Sequence, residues 1–290
     1  MIRWLPVLFF ARCGSIAHCG AAKRTITTDR RESLQKGAPF HISDSHDSAH
    51  NVLETAQGPD GESLQLRRAK DGFEILDSGR VVMASALRRS ERELINVGMV
   101  PLRDRHDITV LLAGLGMGHV LSALLESPRV IRVDVVEHSA AIIDWNRSHL
   151  QTLHKEPPLA DPRVHLHQMS LSAYLRALRY KTIADLTLEG GGYLSVILDL
   201  DEGPSQLLRP QNADLYGDDG LADLEEALRP GGVLALWSSV REVELMDRLK
   251  GRFQNIAEIV VPVDVPGSPG LDYIYRARRR PPISRQRAQA

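Results

Sequence analysis

The stretch from residue 108 to residue 139 constrains the fold more than any other part of the chain. Ile108 to Ala113 is a short apolar run with β-branched residues, which predicts a strand buried on both faces. A glycine-rich turn follows at once, and an amphipathic helix pattern begins near His119. Such a turn needs residues that tolerate positive φ, and a ligand can lie against backbone only where no Cβ intervenes. The glycines are Gly114, Gly116 and Gly118.

An acid closes this unit at the end of a second predicted strand, Val130 to Val136. A carboxylate at the position of Glu137 typically accepts hydrogen bonds from the two ribose hydroxyls of a nucleoside, roughly 20 residues after the glycine turn. We therefore predict a nucleoside site formed by the three glycines and Glu137. The alternative is a β-α-β unit with incidental glycines and a solvated acid. A dehydrogenase is less favoured, because the dinucleotide fingerprint needs a third glycine or alanine in another register.

Charge and cysteine content limit the partners and the chemistry. The net charge is −1, so no overall field favours nucleic acid or an anionic membrane, and we expect neither as a partner. No stretch approaches the roughly 18 apolar residues that span a membrane. Cys13 and Cys19 are the only cysteines, so the body of the chain has no thiolate metal site and no cysteine nucleophile. We expect a cytoplasmic protein without a metal.

Changes in pattern along the chain predict four regions. The first lacks periodicity, and its apolar run Trp4 to Ala11 resembles a short signal peptide or presequence, but we favour a disordered leader or a non-native start. The second alternates short apolar runs with turns at 71–72 and 77–79, which indicates antiparallel strands. The regions are a leader at 1–47, a small β-rich domain at 48–103, a Rossmann-like nucleoside-binding catalytic domain at 104–279 and a disordered basic tail at 280–290.

The third region alternates helix and strand patterns, which predicts a doubly wound α/β fold with helices on both faces of a mostly parallel sheet. A turn at 230–232 is expected between the helix that ends at Leu228 and the strand that begins at Val233, and the final two strands should form an antiparallel hairpin. The predicted helices include Ala140 to Leu150, Leu171 to about Leu186 and Asp218 to Leu228. The predicted strands include Val164 to Gln168, Tyr193 to Leu200, Val233 to Trp237, Ile256 to Val263 and Leu271 to Ala277.

A cluster of acids lies where the fold predicts a ligand. Asp199, Asp201 and Glu202 come at the end of a strand expected to adjoin the glycine turn. In open α/β sheets, ligands bind beyond the carboxyl ends of the strands. Carboxylates there would attract a cationic substrate, hold a metal, or accept a proton from a reacting amine. A metal is less favoured, since no further ligand occurs at short spacing. The alternative is a solvated acidic loop.

The order of these signals resembles the spermidine synthase (polyamine aminopropyltransferase) family across about residues 51 to 277. The resemblance implies a seven-stranded Rossmann-like domain of the S-adenosylmethionine-dependent methyltransferase superfamily, preceded by a small β domain. It also implies a transferase of polyamine biosynthesis that moves an aminopropyl group from decarboxylated S-adenosylmethionine to a small amine such as putrescine, and a homodimer. The matching segments are VLLAGLGMGHVL, VDVVEHS, DPRV, YLSVILDLDEGP and LYGDDGLADLEEALRPGGVLAL.

The resemblance also implies roles for individual residues. Glu137 would hold the ribose, and Asp199 would bind and deprotonate the attacking amine. Asp201 or Glu202 would be the second acid that binds the substrate. Ser170 occupies the position of an aspartate that contacts the adenine. The three glycines would line the nucleoside: Gly114, Gly116 and Gly118.

The chain departs from the family pattern at three places. Met117 replaces an aspartate that anchors the amine of the aminopropyl group, Ser170 replaces the adenine-binding acid, and no tyrosine motif is evident in Ser90 to Leu102. One charge-assisted hydrogen bond is worth roughly 1.5–3 kcal/mol, so these changes should weaken or redirect donor binding. Two alternatives therefore stay open. One is a methyltransferase that uses S-adenosylmethionine itself, because Met117 no longer repels a carboxylate, and the other is a non-catalytic relative that binds a nucleoside.

Overall fold

A computed structural model gives the structure of the chain. It describes residues 51–86, 89–183, 188, 191–263 and 270–281, all of which belong to one compact unit, Phe40–Ala290. The predicted leader and nearly all of the basic tail lie outside the described residues. Within the described residues, no helix is both long and apolar enough to cross a membrane.

The first sheet has four antiparallel strands in sequence order. Ser78 and Gly79 have φ values of 50° and 85°, and two consecutive left-handed residues form the hairpin turn that matches the twist of the flanking strands. Alternate residues of the two central strands are buried, as expected for a sheet with one covered face. The strands are β1 (Val52–Gln57), β2 (Ser63–Ala69), β3 (Gly72–Asp77) and β4 (Arg80–Ala84).

The second sheet has seven strands, which are β5 (Ile108–Ala113), β6 (Val130–Glu137), β7 (Val164–Gln168), β8 (Tyr193–Leu198), β9 (Leu228–Ser238), β10 (Gln254–Val263) and β11 (Gly270–Arg278). Their order in the sheet is β10-β11-β9-β8-β5-β6-β7. The pairs within β5 to β9 are parallel, whereas β11 is antiparallel to both of its neighbours. The predicted fold class and the terminal hairpin are therefore confirmed.

Helices cover both faces of this sheet, because its central strands are apolar on both sides. All six residues of β5 are buried, and its apolar residues from Val110 to Ala113 belong alternately to two different hydrophobic clusters. The helices are α1 (Arg89–Met99), α2 (His119–Leu125), α3 (Ala140–Arg147), α4 (Leu171–Arg179), α5 (Asp218–Ala227) and α6 (Val243–Arg252). Residues of α1 to α3 belong to one cluster, and residues of α4 to α6 belong to the other.

Several predicted boundaries were wrong. The helix expected to reach about residue 186 ends at Arg179, and Lys181 then adopts a left-handed φ of 53° that a helix does not accommodate. The helix expected to reach Leu150 ends at Arg147. The strand expected to reach Leu200 ends at Leu198, so the acid cluster lies in the loop that follows it.

The turn predicted at 230–232 is an irregularity inside β9. Tyr193 of β8 pairs with Leu228, and Ser195 pairs with Val233, so extra residues of β9 bulge out between these two pairs. Gly231, with φ 77°, supplies the left-handed residue that the bulge needs. Glycine and proline therefore marked a real backbone irregularity, but the strand continues through it.

A buried polar cluster joins β6 to β7. Asp134 is fully buried and accepts two hydrogen bonds from Arg132, at 2.6 and 2.8 Å, and one from His167 at 2.8 Å. Burial raises the pKa of Asp134, but Arg132 and His167 outweigh it and lower this pKa below its ordinary value. Because β6 ends three residues later, these bonds help to fix the position of Glu137.

Candidate functional site

The glycine turn is a backbone conformation that other residues rarely adopt. Gly114, Gly116 and Gly118 have φ values of 92°, 52° and 81°. At Gly114 an added Cβ would clash with the carbonyl oxygen of Asp199, whose amide donates to Ala113 at 2.9 Å. The glycine turn and the start of the acid cluster are thus in direct backbone contact. This contact confirms the expected adjacency of β5 and β8.

We predict that Gly114→Ala lowers the free energy of unfolding by at least about 2 kcal/mol, because alanine at positive φ is strained and its methyl group displaces the Asp199 backbone. Urea unfolding followed by circular dichroism measures this change. Gly251→Ala in α6 is the matched control, since its added Cβ meets nothing within 4 Å and its φ is not positive. A Gly114→Ala protein as stable as this control would contradict the close approach.

Two polar side chains that sequence reasoning missed contact backbone carbonyl groups of the glycine turn. Asn146 on α3 is buried, and its Nδ2 donates to the Gly116 carbonyl at 2.8 Å. The His154 ring nitrogen Nε2 lies 2.8 Å from the Met117 carbonyl oxygen. An added Cβ at Gly118 would lie 2.7 Å from Asn146 Oδ1, so this glycine leaves room for its support. The available sequence signal was a polar residue on the apolar face of a predicted helix.

Glu137 lies at the end of β6 and binds the glycine turn. Its Oε2 accepts from the Leu115 amide at 3.0 Å, and its Oε1 accepts from the Ser139 amide at 2.7 Å. Burial raises the pKa of Glu137, while the two amides and the charge of Arg209 oppose that rise. A carboxylate has about four acceptor positions, so each oxygen can still accept a further hydrogen bond. The two oxygens of Glu137 can therefore each accept a hydrogen bond from one hydroxyl group of a diol.

Ser170 lies at the same edge of the sheet as Glu137. The amide of Met169 donates to the Glu137 carbonyl at 3.1 Å, which places the end of β7 beside the end of β6. Ser170 is the N-cap of α4, and its hydroxyl oxygen accepts from the Ala173 amide at 3.3 Å. The serine that stands at the adenine-binding position of the family pattern therefore caps a helix in this chain.

A cavity of about 190 Å³ opens beside the glycine turn. Its wall includes Leu115, Gly116 and Met117 from the turn, together with residues of β4, α1 and the carboxyl-terminal ends of the central strands. Five carboxylic acids contribute to the wall, and no lysine or arginine is among its described residues. The acids are Glu91, Asp199, Asp201, Glu202 and Asp272.

Asp201 and Glu202, the predicted substrate-binding acids, have partners within the protein. Asp201 is 4% exposed and accepts from Asn212 Nδ2 at 2.9 Å and from the Tyr216 hydroxyl at 3.0 Å. It thereby anchors the loop that precedes α5. Glu202 forms an ion pair with Arg80 of β4 at 3.0 Å. Both acids line the cavity, but these contacts use part of their capacity to bind a ligand.

Asp199 and Asp272 are two further acids of the cavity wall, and the charge of Asp272 acts on Asp199. Asp199 directly follows β8, and among the described residues its carboxylate has no hydrogen-bonding partner. Burial and the charge of Asp272 raise the pKa of Asp199 to about 6. Burial also raises the pKa of Asp272, with the side chains of Trp237 and Ser90 acting against it. Asp199 is thus a carboxylate that is partly shielded from water and poorly compensated by the protein.

Sequence reasoning missed Asp272, although a signal existed. An antiparallel strand begins at the edge where its parallel neighbours end. Tyr273 of β11 pairs with Ser238, the last residue of β9, so Asp272 lies at the carboxyl edge of the sheet. An acid at the start of the final predicted strand was therefore a candidate for the site.

Comparison with solved structures confirms the resemblance at the level of the fold. A spermidine synthase from Thermotoga maritima matches with a TM-score of 0.62 and 17% identity, over 79% of this chain and 73% of that one. A spermidine synthase in complex with the transition state analogue AdoDATO matches with a TM-score of 0.61 and 16% identity, over 79% and 72%. The chain therefore has the fold of the spermidine synthases.

Comparison of sequences gives a more limited result. No family model matches the chain. Putrescine N-methyltransferase 3 from Nicotiana tabacum is 28% identical over 127 residues. The match covers 43% of this chain and only 28% of that protein.

Proposed function

We propose that this protein is a transferase that moves an aminopropyl group from decarboxylated S-adenosylmethionine to a diamine such as putrescine. The observation that carries the proposal is the wall of the cavity. Five carboxylic acids and no lysine or arginine among its described residues adjoin a glycine turn that is bound by Glu137. A negative pocket beside a nucleoside cradle suits a cationic amine and a donor that is itself a nucleoside.

The donor would bind at the glycine turn. Left-handed glycines let a ligand approach the backbone, and Glu137 has acceptor positions left for the ribose hydroxyls. We assign this role to the predicted domain at 104–279, with Met83 of the predicted domain at 48–103 lining the same cavity. The complex of a structurally similar spermidine synthase with AdoDATO supports the assignment. The decarboxylated donor has an ammonium and no carboxylate, so the charge of the cavity favours it.

Asp199 would act as the base in the transfer. The neutral nitrogen of the amine attacks the methylene carbon bound to the sulfonium, the carbon–sulfur bond breaks, and its electron pair leaves with sulfur as methylthioadenosine. The new secondary ammonium then gives a proton to Asp199. A carboxylate with a pKa of about 6 is mostly ionised at neutral pH and is a stronger base than an ordinary aspartate. Positioning of the two substrates supplies the rest of the catalysis.

Met117 favours a second candidate, methyl transfer from S-adenosylmethionine to an amine. This apolar residue lines the cavity at the glycine turn, where the family pattern has an acid. The cavity there lacks one charge that would repel the carboxylate of S-adenosylmethionine. The partial sequence match to a putrescine N-methyltransferase supports the same reading.

Calorimetric titration distinguishes the donors. We expect decarboxylated S-adenosylmethionine to bind at least about 10-fold more tightly than S-adenosylmethionine, because the carboxylate of the latter would enter a cavity whose wall carries five carboxylic acids. Methylthioadenosine should bind as the product. Mass spectrometry with putrescine should then show an aminopropylated amine.

Two other outcomes of this titration would contradict aminopropyl transfer. Tighter binding of S-adenosylmethionine together with a methylated product would replace aminopropyl transfer by methyl transfer. Binding of none of the three nucleosides would contradict the nucleoside site and leave the fold without this chemistry.

A further inference from the structure

The five acids of the cavity are not equally available to a ligand. Asp201 accepts hydrogen bonds from Asn212 and Tyr216, Glu202 pairs with Arg80, and Glu91 also has a partner within the protein. Asp272 has only the neutral side chains of Trp237 and Ser90 as partners, and Asp199 has no hydrogen-bonding partner among the described residues. These two acids lie on opposite sides of β9 in the strand order. Their charges face the same cavity and act on each other.

The wall around Asp272 has a second feature that suits an alkylammonium ion. Trp237 of β9 lines the cavity next to Asp272 and is paired with Ile274, two residues along β11. An indole ring attracts a cation through its face and packs against methylene groups. Val263 of β10 adds apolar surface to the same wall. An acid beside apolar and aromatic surface is the composition that recognises a charged nitrogen on a hydrocarbon chain.

We propose that Asp272 is the second carboxylate of the amine site and holds the non-reacting ammonium of a diamine whose other nitrogen meets Asp199. This inference rests on the proposed transfer to an amine. It moves the role of second acid from Asp201 or Glu202, where the family resemblance placed it, to the terminal hairpin. A diamine then makes two charge contacts, whereas a monoamine of equal length makes one.

The test compares putrescine with n-butylamine, which has the same carbon chain and one nitrogen. In the wild-type protein saturated with donor, kcat/KM should favour putrescine. In Asp272→Asn this preference should fall by about 10- to 100-fold, the usual effect of one lost charge-assisted contact. The loss should appear as a higher KM for putrescine with kcat changed by only a few-fold. Asp272→Glu should recover part of the preference.

The matched control is Glu258→Gln on β10 of the same hairpin. Glu258 pairs with Arg241 and is not part of the cavity wall, so the substitution removes one charge from the hairpin without touching the site. Its preference for putrescine should equal that of the wild type. Donor affinity and thermal unfolding, measured on every variant, show whether Asp272→Asn has kept its fold and its nucleoside site.

A binding experiment separates this inference from the proposed function. Putrescine and n-butylamine are titrated into the protein in the presence of methylthioadenosine, which requires no turnover. Tighter binding of putrescine that disappears in Asp272→Asn supports the inference even if no group transfer is observed. Loss of the preference in Glu202→Gln with retention in Asp272→Asn would overturn it and return the role to the acid cluster after β8. An unchanged preference in both variants would also overturn it.

Discussion

Replacement of Asp199 by asparagine is expected to lower turnover by about 10²- to 10⁴-fold, the usual contribution of a positioned general base. The amide has nearly the shape of the carboxylate but cannot accept the proton of the new ammonium. Nucleoside affinity should stay within about threefold, because Glu137 and the glycine backbone remain in place. Initial rates with putrescine and calorimetry with methylthioadenosine measure the two effects separately.

The same substitution should not destabilise the protein near neutral pH. The pKa of Asp199 is about 6 in the folded chain and near the ordinary 3.8 when unfolded, so the folded state binds more protons between these values. The contribution of Asp199 to the free energy of unfolding therefore falls as the pH rises from about 4 to 6. Asparagine removes this cost and the repulsion from Asp272, so the free energy of unfolding at pH 8 should be equal or higher.

The pH dependence of the wild-type rate should show the ionisation of Asp199. Plotted as log(kcat/KM) against pH, the slope should decrease by about one near pH 6, where Asp199 becomes ionised. The residual rate of Asp199→Asn should lack this break. Asp214→Asn, an exposed acid on the segment between Asp199 and α5, is the matched control. A fully active Asp199→Asn protein would rule out Asp199 as the base.

The sequence predicts the centre of this fold well because its signals are local. Ile108 to Ala113 is apolar at every position except Thr109, and that composition suits a strand covered on both faces. The three glycines adopt the positive φ values that their spacing between strand and helix requires. Glu137 follows in the next strand of the same unit, so its position beside the turn needs no long-range information.

The environment of each acid could not be predicted, because it depends on contacts between distant segments. Asp201 looks like a pocket acid in the sequence, yet Asn212 and Tyr216 from the following loop engage its carboxylate. Asp272 reaches the cavity only because β11 inserts between β9 and β10 and runs against the other strands. The motifs indicate at which edge of the sheet a ligand binds. They do not show which carboxylates are engaged by other residues of the protein.

Replacement of Glu137 by alanine is expected to weaken nucleoside binding by at least about 100-fold, because two hydrogen bonds from ribose hydroxyls to a charged acceptor are lost together. The Leu115 and Ser139 amides also lose their acceptor, so the free energy of unfolding should fall by about 1–3 kcal/mol. The fold should remain intact, since β6 is also held by its pairs with β5 and β7. Calorimetry with methylthioadenosine and urea unfolding measure the two effects.

A second substitution distinguishes the loss of direct ribose binding from the loss of the support that Glu137 gives to the glycine turn. Glu137→Gln keeps one oxygen that can accept from Leu115 or Ser139, so its stability should lie between those of the wild type and Glu137→Ala. Its nucleoside affinity should still be low, because its second terminal group donates instead of accepting and the charge is gone. Glu126→Ala, an exposed acid next to α2 in the same β-α-β unit, should leave both quantities unchanged. Wild-type affinity in Glu137→Ala would remove the carboxylate from the nucleoside site and, with it, the cradle on which the proposed donor binding depends.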